Sequence, residues 1–141
     1  YQRELAQQLT EWGADLIIGT HPHVLQPVEE ITSPNGNRAT VLYSLGNFIS
    51  AQVDRANLVG AIAQIEVEKN LDSGEITIHP PQLQPVITCY QSGYAQLHLL
   101  PFCDYTGELG DQRGQPLSRD YIRQLVSSVV DPAFLAEGAL D

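Results

Sequence analysis

A short apolar run that ends in a glycine and two histidines constrains this chain more than any other stretch. Leu16, Ile17 and Ile18 lie between Gly13 and Gly19. So short a continuous run is expected to form a strand buried on both faces. At its end stand His21 and His23, separated by Pro22. A residue before proline is biased toward the extended region, and residues i and i+2 of an extended segment point to one side. Both imidazoles are therefore expected to face one crevice at the carboxyl end of the strand, where open α/β sheets bind ligands.

Imidazole is the commonest metal ligand, but two ligands do not complete a site. Glu29 and Glu30 are the nearest acids downstream, and no cysteine lies nearby. From these residues alone, the pair reads either as part of a metal site or as two polar loop residues.

The surroundings read as alternating helix and strand. Arg3 to Trp12 has helical spacing, with Leu5, Leu9 and Trp12 expected on one core-facing stripe and Gly13 as the break. Gln26 to Thr32 and Ala39 to Leu45 are expected to form a hairpin around Ser33-Pro34-Asn35-Gly36-Asn37, since Asn-Gly supplies the positive φ angles of such turns. The returning strand would bring Asn47 beside the histidine loop, where a carboxamide can orient a substrate or a ligating histidine. The alternative for Asn47 is a left-handed turn position after Gly46.

Farther on, Leu58 to Glu68 alternates as one long strand with a solvated face. Asn70 to Gly74 turns into a strand from Glu75 to His79, which leaves His79 on the surface. Pro80, Pro81 and Pro85 interrupt regularity, and Val86 to Tyr90 is expected at a sheet edge. Tyr94 to Leu100 is ambiguous between strand and helix. Asp104 to Pro116 is a polar, glycine-rich loop without the acidic spacing of a calcium loop. Ser118 is placed to cap a helix reaching about Val130, with Tyr121, Ile122, Leu125, Val126 and Val129 on its apolar face and Pro132 beyond its end.

Seventeen acidic residues against seven basic ones give a net charge of −10. A polyanion would be repelled, so nucleic acid is excluded as a partner; only Arg113, Arg119 and Arg123 are even loosely grouped. The apolar runs fall well short of the roughly 20 residues that a membrane span requires.

GADLIIGTHPHVLQPVE followed by ATVLYSLGNF resembles the carboxyl-terminal part of the CapA family of bacterial capsule (poly-γ-glutamate) synthesis proteins. The resemblance covers residues 1–68 and extends to calcineurin-type metallophosphoesterases, whose last metal motif is Gly-x-His-x-His after a strand. It implies an α/β fold: the carboxyl-terminal portion of a metallophosphoesterase-like sandwich with a mixed sheet and a C-terminal helix. Residues 1–90 would form that portion, and residues 91–141 a tail. His21 and His23 would be metal ligands, and Asn47 a catalytic auxiliary. The cofactor would be divalent Mn, Zn or Fe in the complete protein, acting on phosphoester or amide bonds of an anionic polymer or phosphoester substrate.

The family's Asp-bearing GD and Asn-His motifs, which come earlier than the histidine pair, do not occur ahead of it here. The chain is therefore expected to be a fragment that holds two ligands of an incomplete site and is inactive alone, with apolar surface that favours self-association. A non-catalytic assembly module of a cell-surface polymer machine is the other reading. The resemblance also implies an extracytoplasmic bacterial setting, with any membrane attachment through other segments. In that setting Cys89 and Cys103 are open to pairing or to remaining as two buried thiols.

Overall fold

The computed structural model describes residues 1–107, 109 and 114–141. Arg113 and part of the Asp104 to Pro116 loop lie outside the described residues. Helix α1 (Gln2–Glu11) leads into β1 (Leu16–Ile18), followed by the hairpin of β2 (Val28–Thr32) and β3 (Arg38–Leu42). These strands form a sheet in the order β1-β3-β2, with β1 parallel and β2 antiparallel to β3.

The turn between β2 and β3 forms at the expected residues, but only Gly36 of the Asn-Gly pair takes a positive φ. Ser33 and Asn37 close it through a 2.8 Å backbone bond, and Gly36 takes φ +89°. The turn also docks the helix. Asn35 Nδ2 donates to Glu11 O (3.0 Å), a carbonyl of the helix end, and Asn37 Nδ2 to Thr10 O (3.1 Å), which also accepts from Gly13 N.

The strand buried on both faces is β3, not β1. Ala39, Val41 and Tyr43 face a small cluster with Ala6 of α1, while Leu42 points into the main core. β1 has one hydrogen-bonded neighbour and only three residues, so Ile18 is 56% exposed. The stripe expected on α1 is likewise turned. Ala6 and Thr10 are buried, whereas Leu5 is 40% and Trp12 77% exposed. The small residues of the helix therefore face the sheet, and the bonds from Asn35 and Asn37 hold its end.

The expected third strand is two strands. β4 (Val59–Gln64) follows a 3-10 turn at Arg55–Leu58, and β5 (Val67–Lys69) pairs separately with β6 (Ile76–Ile78). Alternation holds for Val59, Ala61, Ala63 and Ile65 but fails at Val67, which is exposed. His79 is half-buried and not fully on the surface as expected, with Nε2 3.5 Å from Glu68.

β7 (Gln82–Cys89) is the centre of the sheet β4-β7-β8, not an edge, and β8 (His98–Pro101) resolves the ambiguous stretch as strand. Pro85 is tolerated in β7 because its missing N–H falls outside the ladder. It faces Ala61, whose own N–H points away to Leu45 O (2.9 Å), and β8 begins pairing only at Val86.

Helix α2 (Arg119–Val129) is capped by Ser118, whose Oγ accepts from Tyr121 N at 3.1 Å. It sends Ile122 and Val126 into the main core beside Leu58, Leu83, Ile87 and Phe102. The chain is thus mixed α/β, with small sheets and a C-terminal helix. Cys89 is buried and Cys103 exposed, both as free thiols, so they are neither paired nor both buried.

Candidate metal site at the histidine loop

Because β1 and β3 are parallel, the segments leaving their carboxyl ends emerge on the same side. The first carries His21 and His23; the second carries Ser44 to Asn47. A bridge between Leu25 and Leu45 ties the two together.

The histidine segment is not extended. His21 has φ +95° and His23 φ +60°, in a region that few non-glycine residues adopt. The proline bias at His21 is therefore overridden, and same-side projection along a strand is not what brings the rings together. A bend does so instead. The two ring centroids are 5.9 Å apart at 52°, and both side chains are exposed. Strain held at such a place points toward function.

Asn47 lies where the hairpin was expected to put it. Its Oδ1 is 2.8 Å from His23 Nδ1, and its Nδ2 donates to Gln52 Oε1 and to Asn57 O, each at 2.9 Å. The residue is 7% exposed and does not have positive φ, which removes the left-handed turn alternative. With each of its polar atoms engaged, Asn47 has the arrangement of a group that orients a histidine.

Two glycines allow this packing. Gly46 takes φ +70°, and a Cβ there would lie 2.9 Å from Val59 O. A Cβ on Gly60 would lie 2.1 Å from Asn47 O. β4 therefore runs directly against the segment that supports His23.

Asn57 and Gln52 escaped the sequence reading. Asn57 Nδ2 donates to His23 O at 2.9 Å, 34 positions away; neither residue belongs to a charged or periodic pattern that would have singled it out. Glu29 faces other work: its carboxylate receives Arg3 of α1 and the hydroxyl of Tyr43. Glu30 pairs with Arg38 at 3.6 Å. Among the described residues, no third His, Cys, Asp or Glu joins the histidine pair.

The donor set can be tested against a divalent ion. With metal–nitrogen bonds of about 2 Å, imidazoles whose centroids lie 5.9 Å apart are within reach of one ion or of two neighbouring ions after small ring rotations. They fit as two ligands of a larger set.

Residues 1–52 match the family described as bacterial capsule synthesis protein PGA_cap. His21, His23, Asn47 and Gln52 all fall inside that match. Residues 1–52 are a segment of this family. Similarity continues beyond the PGA_cap match. The chain is 38% identical over 79 residues to the PGA biosynthesis protein CapA of Bacillus subtilis (strain 168), covering 56% of this chain and 19% of that protein. It is 31% identical over 102 residues to the capsule biosynthesis protein CapA of Bacillus anthracis, covering 68% of this chain and 24% of that one. The chain therefore spans a quarter or less of these CapA relatives. No solved structure gives a significant match. Among the described residues, no helix is long and apolar enough to cross a membrane.

Proposed function

We propose that this chain contributes two imidazole ligands, His21 and His23, to a divalent-metal site in a capsule-synthesis hydrolase of metallophosphoesterase type. The observation that supports this best is the buried Asn47 carboxamide held 2.8 Å from His23 Nδ1, because metal-bound histidines generally donate their second ring nitrogen to such an acceptor. Mn, Zn or Fe, when bound, would supply Lewis acidity and a water of lowered pKa. His21 and His23 hold the ion, and Asn47 fixes the ring of His23 without touching substrate. The remaining donors of a complete site come from outside this pair.

The substrate we assign is an anionic capsule polymer or a phosphoester precursor, cleaved at a phosphoester or amide bond at the bacterial cell surface. A chain of net charge −10 repels such a substrate unless a cation reverses the local field. Titration calorimetry with zinc or manganese tests the reading. Weak binding, lost when His21 and His23 are both replaced by alanine, is expected. Tight stoichiometric binding that survives the double replacement would overturn it.

A further inference from the structure

The hydrogen bonds around Asn47 determine where the proton of His23 resides. A backbone carbonyl can only accept, so the Asn47 atom 2.9 Å from Asn57 O is its amide nitrogen. That nitrogen has two N–H bonds, and the second is directed at Gln52 Oε1. The oxygen of Asn47 must then be the atom facing His23 Nδ1. In the neutral ring, Nδ1 is the donor and Nε2 keeps a lone pair.

Asn57 acts on His23 twice. Its carbonyl fixes the Asn47 amide, and its own Nδ2 holds His23 O at 2.9 Å, anchoring the backbone where φ is +60°. We propose that Asn57 is a positioning residue whose side chain, by anchoring His23 O, holds the ring against Asn47 Oδ1, and so sets the Nδ1–H tautomer of His23 and presents Nε2 as an electron-pair donor. The inference deepens the metal-ligand reading and rests on it only for the use made of Nε2. Asn57 lies outside the 1–52 match, so a residue beyond that segment completes its histidine loop.

Long-range proton–nitrogen correlation spectra of the metal-free, nitrogen-15-labelled chain, with the imidazoles neutral, provide the test. His23 is expected to show the Nδ1–H pattern. His98, whose Nδ1 lies 2.6 Å from Gln96 O, should show the same pattern and serves as an internal reference. In Asn47→Leu, which removes the acceptor, and in Asn57→Ala, which keeps the Asn57 carbonyl but frees His23 O and with it the ring from Asn47, His23 should shift toward the Nε2–H form while His98 is unchanged. Gln52→Ala should leave His23 as it is, because Asn57 O still orients the amide. An Nε2–H pattern for His23 in the unsubstituted chain would overturn the proposal, whatever the variants do. So would an unchanged His23 in Asn57→Ala with the His98 reference intact. Zinc titration of the same samples separates the two ideas, since metal binding can fail with the tautomer as proposed, and the reverse.

Discussion

His23 Nδ1 and Asn47 Oδ1 lie 2.8 Å apart, joining loops from the carboxyl ends of two parallel strands that are 20 residues apart in the chain. Groups that orient a metal-bound histidine typically influence affinity by about 10–100-fold. Asn47→Ala is expected to weaken zinc binding by an amount in that range while His21 and His23 remain in place. Calorimetry showing unchanged affinity would mean that the contact is only a packing bond.

Gly60 tests the support beneath this contact. A methyl group there meets the Asn47 carbonyl at 2.1 Å, and the obstacle is backbone that cannot rotate away. Gly60→Ala is expected to destabilise the chain by about 1–3 kcal/mol in urea unfolding and to disturb the His23 ring signals. An unchanged midpoint would show that β4 and the Asn47 segment are not in close contact.

Alkaline pH probes the other side of β3. Burial, then the bond to Glu29, pushes the Tyr43 phenol above its ordinary value, and burial pushes the Cys89 thiol up in the same direction. Each group holds its proton more tightly when folded, so the unfolded chain releases protons first as pH rises. Stability should be intact below the ordinary thiol value of about 9 and should fall through the ordinary tyrosine value of about 10 and beyond. Tyr43→Phe should flatten the upper part of that decline. Stability that rises with pH over this window would contradict the assignment.

How much of this was legible in the sequence depends on the range of the interactions. The Asn35-Gly36 turn, the Ser118 cap and the meeting of Asn47 with the histidine loop follow from local chemistry and were readable. The exposure of Ile18 was not, because an apolar triplet does not reveal whether its strand is central or at an edge. Pro85 in a central strand depends on which of its sides faces a partner, a matter of register with Ala61 and β8. The split between β4 and β5 arises where neighbours change at Ile65 and Glu66, with no glycine or proline to mark it. Asn57 reaches His23 only through the tertiary fold.

Ile18, Leu5 and Trp12 are exposed, and β1 has no second strand neighbour among the described residues. An open apolar edge favours pairing with another copy. Light scattering over a concentration series should show the mass rising toward a dimer. A strict monomer at the highest concentration would contradict this.

Two imidazoles do not supply the bridging ligands of a two-metal hydrolase. With added manganese, the chain is expected to hydrolyse a simple phosphodiester no faster than buffer does. Turnover abolished by His23→Ala would show instead that the site is complete within this chain.

Paramagnetic broadening of the four histidine ring signals by substoichiometric manganese tests the central claim most directly. His21 and His23 should broaden first and together, while His79 and His98 stay sharp. Broadening centred on His79 beside Glu68, or spread evenly over all four rings, would contradict a metal site at the histidine loop.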